Sequence, residues 1–308
     1  MAVDAAMIQA IEAYLAVRRS AGFELNNDAY LLRSYARFAG ERGEVRVCTS
    51  TAIQWASQST SVAQRDVRLK TVYRFAHFIG LEDEGHELPP ARHFTYQKTR
   101  RLPHIYSDAE LERLIKAALQ LGPHNALRPH TYATLIALLS ATGLRISEAL
   151  SLRLSDLSTQ GLVIRTTKFR KSRLVPLHDT AVLGLQRYLK RRRRWDAGND
   201  HVFMTEAGRS LPYDVVYRTF QQLLREAKLC PTPGVPRPRL HDLRHRFAVR
   251  ALQASPSGRG PASRHMLALA TYLGHVNINA TYWYLEATPE LLRGISMACD
   301  VFCEGVQA

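Results

Sequence analysis

The chain has 308 residues and 46% of them are hydrophobic, which is enough for one large domain or two modest ones. This composition excludes a disordered chain, which would combine few apolar residues with a high net charge. The formal net charge is +15, from 42 Lys and Arg against 27 Asp and Glu, and it favours a polyanionic partner. Residues 1–90 hold only ten of the basic and eleven of the acidic residues, so the excess charge lies in residues 91–308. Charge that served solubility alone would not be sorted by region in this way.

The four cysteines do not suggest a disulfide framework in a chain of this length. Cys299 and Cys303 are four residues apart, but no further Cys or His follows at zinc-ligand spacing, so we expect no metal site. The N-terminal segment lacks the basic start and long apolar run of a signal peptide. No stretch of 18 apolar residues predicts a membrane span. These features lead us to expect a cytoplasmic protein.

The first part of the chain predicts a bundle of four short helices. Apolar residues recur at helical spacing in residues 5–20, 27–40, 51–57 and 61–80, and glycines end three of these segments. Six aromatic residues are expected to fill the core of this bundle: Tyr30, Tyr35, Phe38, Tyr73, Phe75 and Phe78.

A basic linker is predicted at residues 89–106. Pro89, Pro90 and Pro103 prevent a continuous helix there. Lys98, Arg100 and Arg101 make its second half basic. The segment can either follow a phosphate backbone or serve as a solvated connector, and the sequence leaves both interpretations open.

A second domain begins at Ser107, where Ser107 and Glu110 have the spacing of a capping box. Short β-branched runs around a basic turn predict a small antiparallel hairpin within residues 161–177. Residues 255–263 are rich in turn-forming residues and predict a mobile loop. Further helices are predicted at 107–118, 129–140, after Gly143, and at 180–194, 212–228, 240–253, 262–273 and 288–305.

The familiar cofactor and metal motifs are absent from the sequence. There is no phosphate-binding GxxxxGK[ST] loop, no GxGxxG after a strand and no HExxH. The acidic residues form no cluster suited to two-metal nuclease chemistry. Any chemistry is therefore expected to use cationic side chains, without a metal or a cofactor.

Three segments carry residues suited to phosphate chemistry. Arg145 follows a glycine turn at a predicted helix start, where a guanidinium and free backbone N–H groups suit an anionic oxygen. His241 and Arg244 are three residues apart and share one helix face. His275 follows a Leu-Gly pair, and Tyr284 comes nine residues later.

The stretches TGLRISEALSL, TKFRKSRLVPL, HDLRHRFA and LGHVNINATYWY occur in this order from about residue 145 to 284. Together they resemble the tyrosine recombinase (phage integrase) family, and most closely its Xer-like and mobile-element members. The resemblance implies a mainly α fold with a small antiparallel β-hairpin or sheet, in two domains. Residues 1–88 would form a helical, SAM-like core-binding domain, 89–106 the linker, and 107–308 the mixed α/β catalytic domain with a tail helix from about 288.

The resemblance also implies roles for individual residues, and elementary chemistry supports them. Two arginines would bracket the non-bridging oxygens of a phosphodiester, a tyrosine would attack the phosphorus, and a lysine would protonate the departing 5′-oxygen. The two histidines are candidates for accepting the tyrosine proton and orienting the phosphate. The implied catalytic residues are Arg145, Lys168, His241, Arg244, His275 and Tyr284, with Glu148 in a supporting position.

Three features leave alternatives open. Lys171 lies in the same turn as Lys168 and could replace it, and Tyr282 lies two residues before Tyr284. Thirty residues separate Arg244 from His275, more than in compact Xer-like members, and the surplus falls in the predicted loop at 255–263.

The resemblance implies a site-specific DNA recombinase or integrase of a mobile element, which forms a 3′-phosphotyrosine intermediate without metal or ATP. Its partner would be double-stranded DNA at the nucleoid, in an assembly of four protomers or with related recombinases. The tail helix would dock on a neighbouring protomer or pack on its own domain. The alternatives are relaxation of DNA by type IB topoisomerase chemistry and non-catalytic DNA binding on the same fold. Candidate phosphate contacts are Lys98, Arg100, Arg101, Arg170, Lys171, Arg173 and the basic run at 190–194.

Overall fold

A computed structural model describes residues 2–96, 101–123, 125–165, 172–195, 198–229, 237–254, 259–274 and 281. The chain divides into two compact units, Met1–Arg100 and Arg101–Ala308. The boundary between them lies within the segment predicted as a linker. The described residues are mainly helical with one small antiparallel sheet, which confirms the predicted fold class.

The first unit contains four helices close to the predicted bounds: α1 (Ala2–Ser20), α2 (Asn26–Gly40), α3 (Thr49–Ser57) and α4 (Val62–Ile79). Its core includes Ile11, Leu32 and Phe75, which are fully buried. Tyr35 and Trp55 pack edge to face in this core, with ring centroids 5.5 Å apart. The apolar spacing that predicted the helices is therefore the face that each helix buries.

The prediction that Tyr30 lies in this core is wrong, because the residue is 70% exposed. The inward face of α2 is occupied by Leu31, Leu32 and Tyr35, and the helical period turns position 30 away from it. Phe38, like Tyr35 and Phe75, is buried as expected, whereas Tyr73 and Phe78 are partly buried.

The second unit is built around one central helix. Helix α6 buries eleven of its sixteen residues and packs against α5, α8 and α10. A helix that is apolar on nearly every side is stable only when other elements surround it. The helices of this unit are α5 (Asp108–Leu119), α6 (Leu127–Thr142), α7 (Ile146–Leu150), α8 (Asp179–Arg192), α9 (Tyr213–Glu226), α10 (Leu240–Gln253) and α11 (Arg259–Leu273).

Helix α5 begins with the predicted capping box. The backbone N–H of Glu110 donates to the Ser107 hydroxyl over 3.2 Å, and the Ser107 N–H donates to the Glu110 carboxylate over 2.8 Å. Both donors would otherwise lack a partner at the helix start. The sequence prediction of where this helix begins is confirmed.

The sheet has three strands in the order β1 (Leu157–Ser158), β2 (Gly161–Ile164) and β3 (Arg173–Val175), and both pairs are antiparallel. Strands β2 and β3 are the predicted hairpin, and β1 is an addition to it. Ile164 pairs with Arg173 at the end of the hairpin next to its connecting turn. Residues 166–171 of that turn lie outside the described residues.

The prediction of a loop at 255–263 is wrong for residues 259–263. Helix α11 begins at Arg259, so residues 259–263 are helical, and residues 255–258 lie outside the described part of the chain. The predicted tail helix at 288–305 also lies outside the described residues.

Candidate active site

The arginines of two separate motifs meet at one point of the second unit. Gly143 ends α6 with a left-handed φ of 61°, and Arg145 is the residue immediately before α7. Nη2 of Arg145 donates to the carbonyl of Gly274, just after α11, over 3.0 Å. From α10, Arg244 donates Nη1 to the carbonyl of Gly143 and Nη2 to that of Leu273, each over 2.6 Å. The Leu273–Gly274 turn therefore accepts from both guanidiniums, and the Gly143 turn, two residues before Arg145, accepts from Arg244.

The two arginines differ in exposure. Arg244 is 2% exposed, whereas the Arg145 side chain is 27% exposed. Guanidinium groups keep their charge at all physiological pH values and present their donors in a fixed plane. The cluster is thus a permanently cationic centre, and Arg145 is the arginine of the pair that reaches solvent.

Glu148 supplies the negative charge of this centre. Its side chain is 3% exposed and accepts from the Arg145 backbone N–H over 2.9 Å and from Nη1 of Arg145 over 2.8 Å. Arg173 adds a bidentate pair of hydrogen bonds of 3.0 and 2.8 Å. Burial raises the pKa of Glu148, but the hydrogen bonds and charges of Arg173 and Arg145 outweigh it and lower the pKa to about 2. Glu148 is therefore an ionised carboxylate shared by two arginines.

His241 lies in the first turn of α10, exposed to solvent, and its ring packs edge to face against His245 with centroids 4.8 Å apart. Desolvation by surrounding atoms lowers the pKa of His241 to about 4, and the charges of Arg244, Arg239 and Arg145 act in the same direction, against Asp242. His241 is neutral at pH 7 and can accept a proton.

Two residues that the sequence motifs do not identify hold the start of α10. Asp242 is buried and accepts from the Arg239 backbone N–H over 2.9 Å and from the Arg239 side chain over 2.9 Å. An acidic residue at the third position of a predicted helix is a recognisable capping signal. This pair fixes the helix turn that carries His241.

Tyr272 is a described tyrosine beside the arginine cluster. Its ring stacks on Phe247 with centroids 5.3 Å apart, and its backbone carbonyl accepts from Nε of Arg173 over 2.8 Å. Burial raises the pKa of Tyr272 to about 12, although Arg173 and Arg244 lower it. This phenol is harder to ionise than a free tyrosine, which makes it a poor nucleophile.

Several of the predicted site residues cannot be placed relative to this cluster. They lie outside the described residues: the catalytic candidates Lys168, His275 and Tyr284, their alternatives Lys171 and Tyr282, and the candidate DNA contacts Lys98, Arg100 and Arg170.

The described candidate phosphate contacts other than Arg173 fall into two groups. Arg101 is exposed and donates to the carbonyl of Arg237 over 3.0 Å, and Lys190, Arg191, Arg193 and Arg194 are exposed at the end of α8. Arg192, in the same run, is 1% exposed and binds the carbonyls of His201 and Asn199. The run is therefore not a uniform cationic surface, because Arg192 faces the interior.

Within the described ranges, no group of three or more His, Cys, Asp or Glu side chains is arranged to hold a metal ion. Of the helices that the structure describes, none has both the length and the apolar character needed to cross a bilayer.

Known proteins resemble this chain over most of its length. Residues 105–290 match the phage integrase family. The chain is 36% identical to y4rB of Sinorhizobium fredii, which is called an integrase/recombinase, over 92% of this chain and 94% of that protein. It is 31% identical to the tyrosine recombinase XerD of Oceanobacillus iheyensis, over 77% and 75%. Among solved structures, the Tn1549 transposon integrase in complex with transposon right end DNA is similar with a TM-score of 0.64, at 18% identity over 95% of this chain and 98% of that one.

Proposed function

The chain belongs to the phage integrase family of tyrosine recombinases, and we propose that the cluster of Arg145, Arg244 and His241 is the centre at which it cleaves and rejoins DNA. It is a site-specific DNA recombinase, an enzyme that breaks DNA strands and reseals them. The observation that supports the proposed centre is the convergence of both arginines on the turn at Leu273–Gly274.

The arginines would stabilise the charge that develops on the phosphate. When a nucleophile attacks the phosphorus, negative charge collects on the non-bridging oxygens, and fixed guanidiniums stabilise it without reorganising. Removing one such donor costs about 10²–10³-fold in rate. We assign this role to Arg145 and Arg244.

The proposed nucleophile is the phenol oxygen of Tyr284. Its attack forms the phosphotyrosine bond and breaks the bond from phosphorus to the 5′-oxygen. The phenol proton passes to His241 or His275, and Lys168 gives a proton to the 5′-oxygen as it departs. Attack by a second 5′-hydroxyl reverses these steps and joins two new DNA ends, so the bond energy is kept and ATP is not needed.

We further propose the arrangement that recombination requires. Residues 1–88 and 107–308 would act as two domains around duplex DNA, joined by the basic linker at 89–106. Four protomers, or two pairs with a related recombinase, would hold two duplexes at the nucleoid. The DNA it recombines would belong to a mobile element, in keeping with the likeness to a transposon integrase.

A covalent trap tests the proposed nucleophile. Nicked duplexes made from the DNA flanking the gene are incubated with the full chain in excess EDTA and separated on a denaturing gel. We expect a DNA-linked protein band with the wild type and with the matched control Tyr282→Phe, and none with Tyr284→Phe, because phenylalanine has no oxygen to attack phosphorus.

Two other outcomes would contradict the assignment of Tyr284. A band that persists in Tyr284→Phe and disappears in Tyr282→Phe would move the nucleophile to Tyr282. Absence of the band from every sample, with salt-sensitive binding to the same duplexes, would contradict the proposed chemistry and favour non-catalytic DNA binding.

A further inference from the structure

We infer that Arg173 is a positioning residue, which holds the Glu148 carboxylate and, through it, the Arg145 guanidinium in place for the phosphate. This inference rests on the function proposed above. It assigns Arg173 a role in the protein interior in place of the direct DNA contact that the basic turn predicts.

The contacts of Arg173 are directed inward. Its side chain is 11% exposed, and both terminal nitrogens donate to the two oxygens of Glu148. A planar fork on a carboxylate fixes the direction of both groups, which a single hydrogen bond does not. The same carboxylate oxygens accept from the side chain and the backbone of Arg145. The orientation of Arg145 therefore depends on a carboxylate that Arg173 orients.

Arg173 also connects three elements. It begins β3, directly after the turn that holds Lys168, and its Nε donates to the carbonyl of Tyr272 at the end of α11. Gly274 makes room for it, because a Cβ atom there would lie 3.0 Å from Nη1 of Arg173. One side chain thus joins the hairpin, the start of α7 and the turn that precedes His275.

The charged and titratable groups facing Glu148 come from each neighbouring element. Arg145 precedes α7, Arg173 comes from β3, Arg244 from α10 binds the adjacent turn, and the Tyr272 phenol lies beside Arg173 and Arg244. Among these, Arg173 and Arg145 lower the pKa of Glu148 against its burial. Without Arg173, burial is opposed by Arg145 alone, so the pKa of Glu148 rises from about 2.

Rates of covalent trapping at saturating DNA test the inference in the full chain. We expect Arg173→Met to lower the single-turnover rate about 10²-fold, as small misplacements of catalytic groups do. The affinity for DNA should stay near that of the wild type, and Arg173→Lys, which keeps the charge without the fork, should give an intermediate rate. The matched control is Arg165→Met, at the other side of the same hairpin, where Arg165 pairs with the buried Asp156. It should keep the wild-type rate.

The pH dependence separates positioning from a role in folding. In Arg173→Met the cleavage rate should fall as the pH is lowered through a range where the wild-type rate is flat, because Glu148 then becomes protonated and releases Arg145. Adding Glu148→Gln should abolish this dependence, and the double variant should be no slower than Arg173→Met at low pH. Equal loss of rate in Arg165→Met, or no new pH dependence, would overturn the inference.

Urea unfolding provides a readout that does not need cleavage. The stability deficit of Arg173→Met should be largest at neutral pH and should shrink as the pH falls, because protonation removes an uncompensated buried charge. The deficit should not change with pH in the Glu148→Gln background. If the wild type forms no covalent product but this coupling is found, the proposed function fails while the Arg173–Glu148 coupling stands. A deficit that is independent of pH, with normal cleavage in the wild type, would contradict the inference alone.

Discussion

At the scale of single residues, we expect His241 to set the response of the centre to acid. The pKa of a free histidine is about 6.5, whereas desolvation and the neighbouring guanidiniums lower that of His241 to about 4. If His241 accepts the tyrosine proton, kcat/KM for cleavage should stay level from pH 8 to about pH 5 and fall only near pH 4. In the DNA-bound enzyme the cleavage rate should begin to fall at a higher pH, because the negative charge of the phosphate favours the protonated His241 ring.

Initial rates of covalent trapping measure both pH profiles: rates at low DNA concentration report kcat/KM, and rates at saturating DNA report the DNA-bound enzyme. Replacement of His241 by Asn should lower the rate and remove the acid limb from kcat/KM. A limb between pH 6 and 7 in kcat/KM, unchanged by that replacement, would assign the proton acceptor to another group.

Part of the site can be predicted from sequence, because some of its residues lie close together within short sequence motifs. Arg145 follows a glycine turn, and His241 and Arg244 share one turn of helix, so short patterns report them. The pairing of Arg173 with Glu148 spans 25 residues and two elements. In the sequence, Arg173 belongs to a basic turn, and only the folded chain shows that it faces a buried carboxylate.

At the scale of elements, the turn at Gly143 positions both arginines. Its φ of 61° is left-handed, and a Cβ atom would lie 2.5 Å from Cδ1 of Phe247. Gly143→Ala should therefore lower the free energy of unfolding by about 1–2 kcal/mol through backbone strain and by about 1–3 kcal/mol through overpacking. It should also slow cleavage, because the Gly143 carbonyl binds Arg244.

The matched control is Gly184→Ala within α8, where a Cβ atom meets nothing within 4 Å. There alanine should raise the free energy of unfolding by about 0.5–1 kcal/mol. Urea midpoints of the two variants measure the difference. Equal midpoints would show that the turn at Gly143 accommodates alanine without loss of stability.

The helices are predictable because their apolar residues recur at helical spacing and form the buried face. The errors in the prediction have physical causes. Strand β1 has only two residues, too few for an alternating pattern. Gly260 and Pro261 indicate a turn, yet they lie in the first turn of α11, where a backbone N–H needs no partner within the helix. Tyr30 shows that an aromatic residue in an amphipathic segment need not face the core.

At the scale of the whole molecule, the positive charge is concentrated in residues 91–308, the part that includes the arginine cluster and the predicted basic linker. Binding to duplex DNA releases counterions, so the logarithm of the binding constant should fall linearly with the logarithm of salt concentration. Each phosphate that the protein neutralises contributes about −0.9 to the slope.

The basic linker should account for a defined share of that slope. Replacing Lys98, Arg100 and Arg101 together by Gln should make the slope less steep by up to about three times 0.9, and weaken binding to all sequences alike, because phosphate contacts carry no base information. The control Lys116→Gln, on α5, removes an exposed cation that pairs with Glu112 over 2.7 Å, and should leave the slope unchanged. Fluorescence anisotropy titrations between low and moderate salt measure both. An unchanged slope in the triple variant would identify residues 89–106 as a solvated connector, and the charge that binds DNA would then lie in the catalytic domain itself.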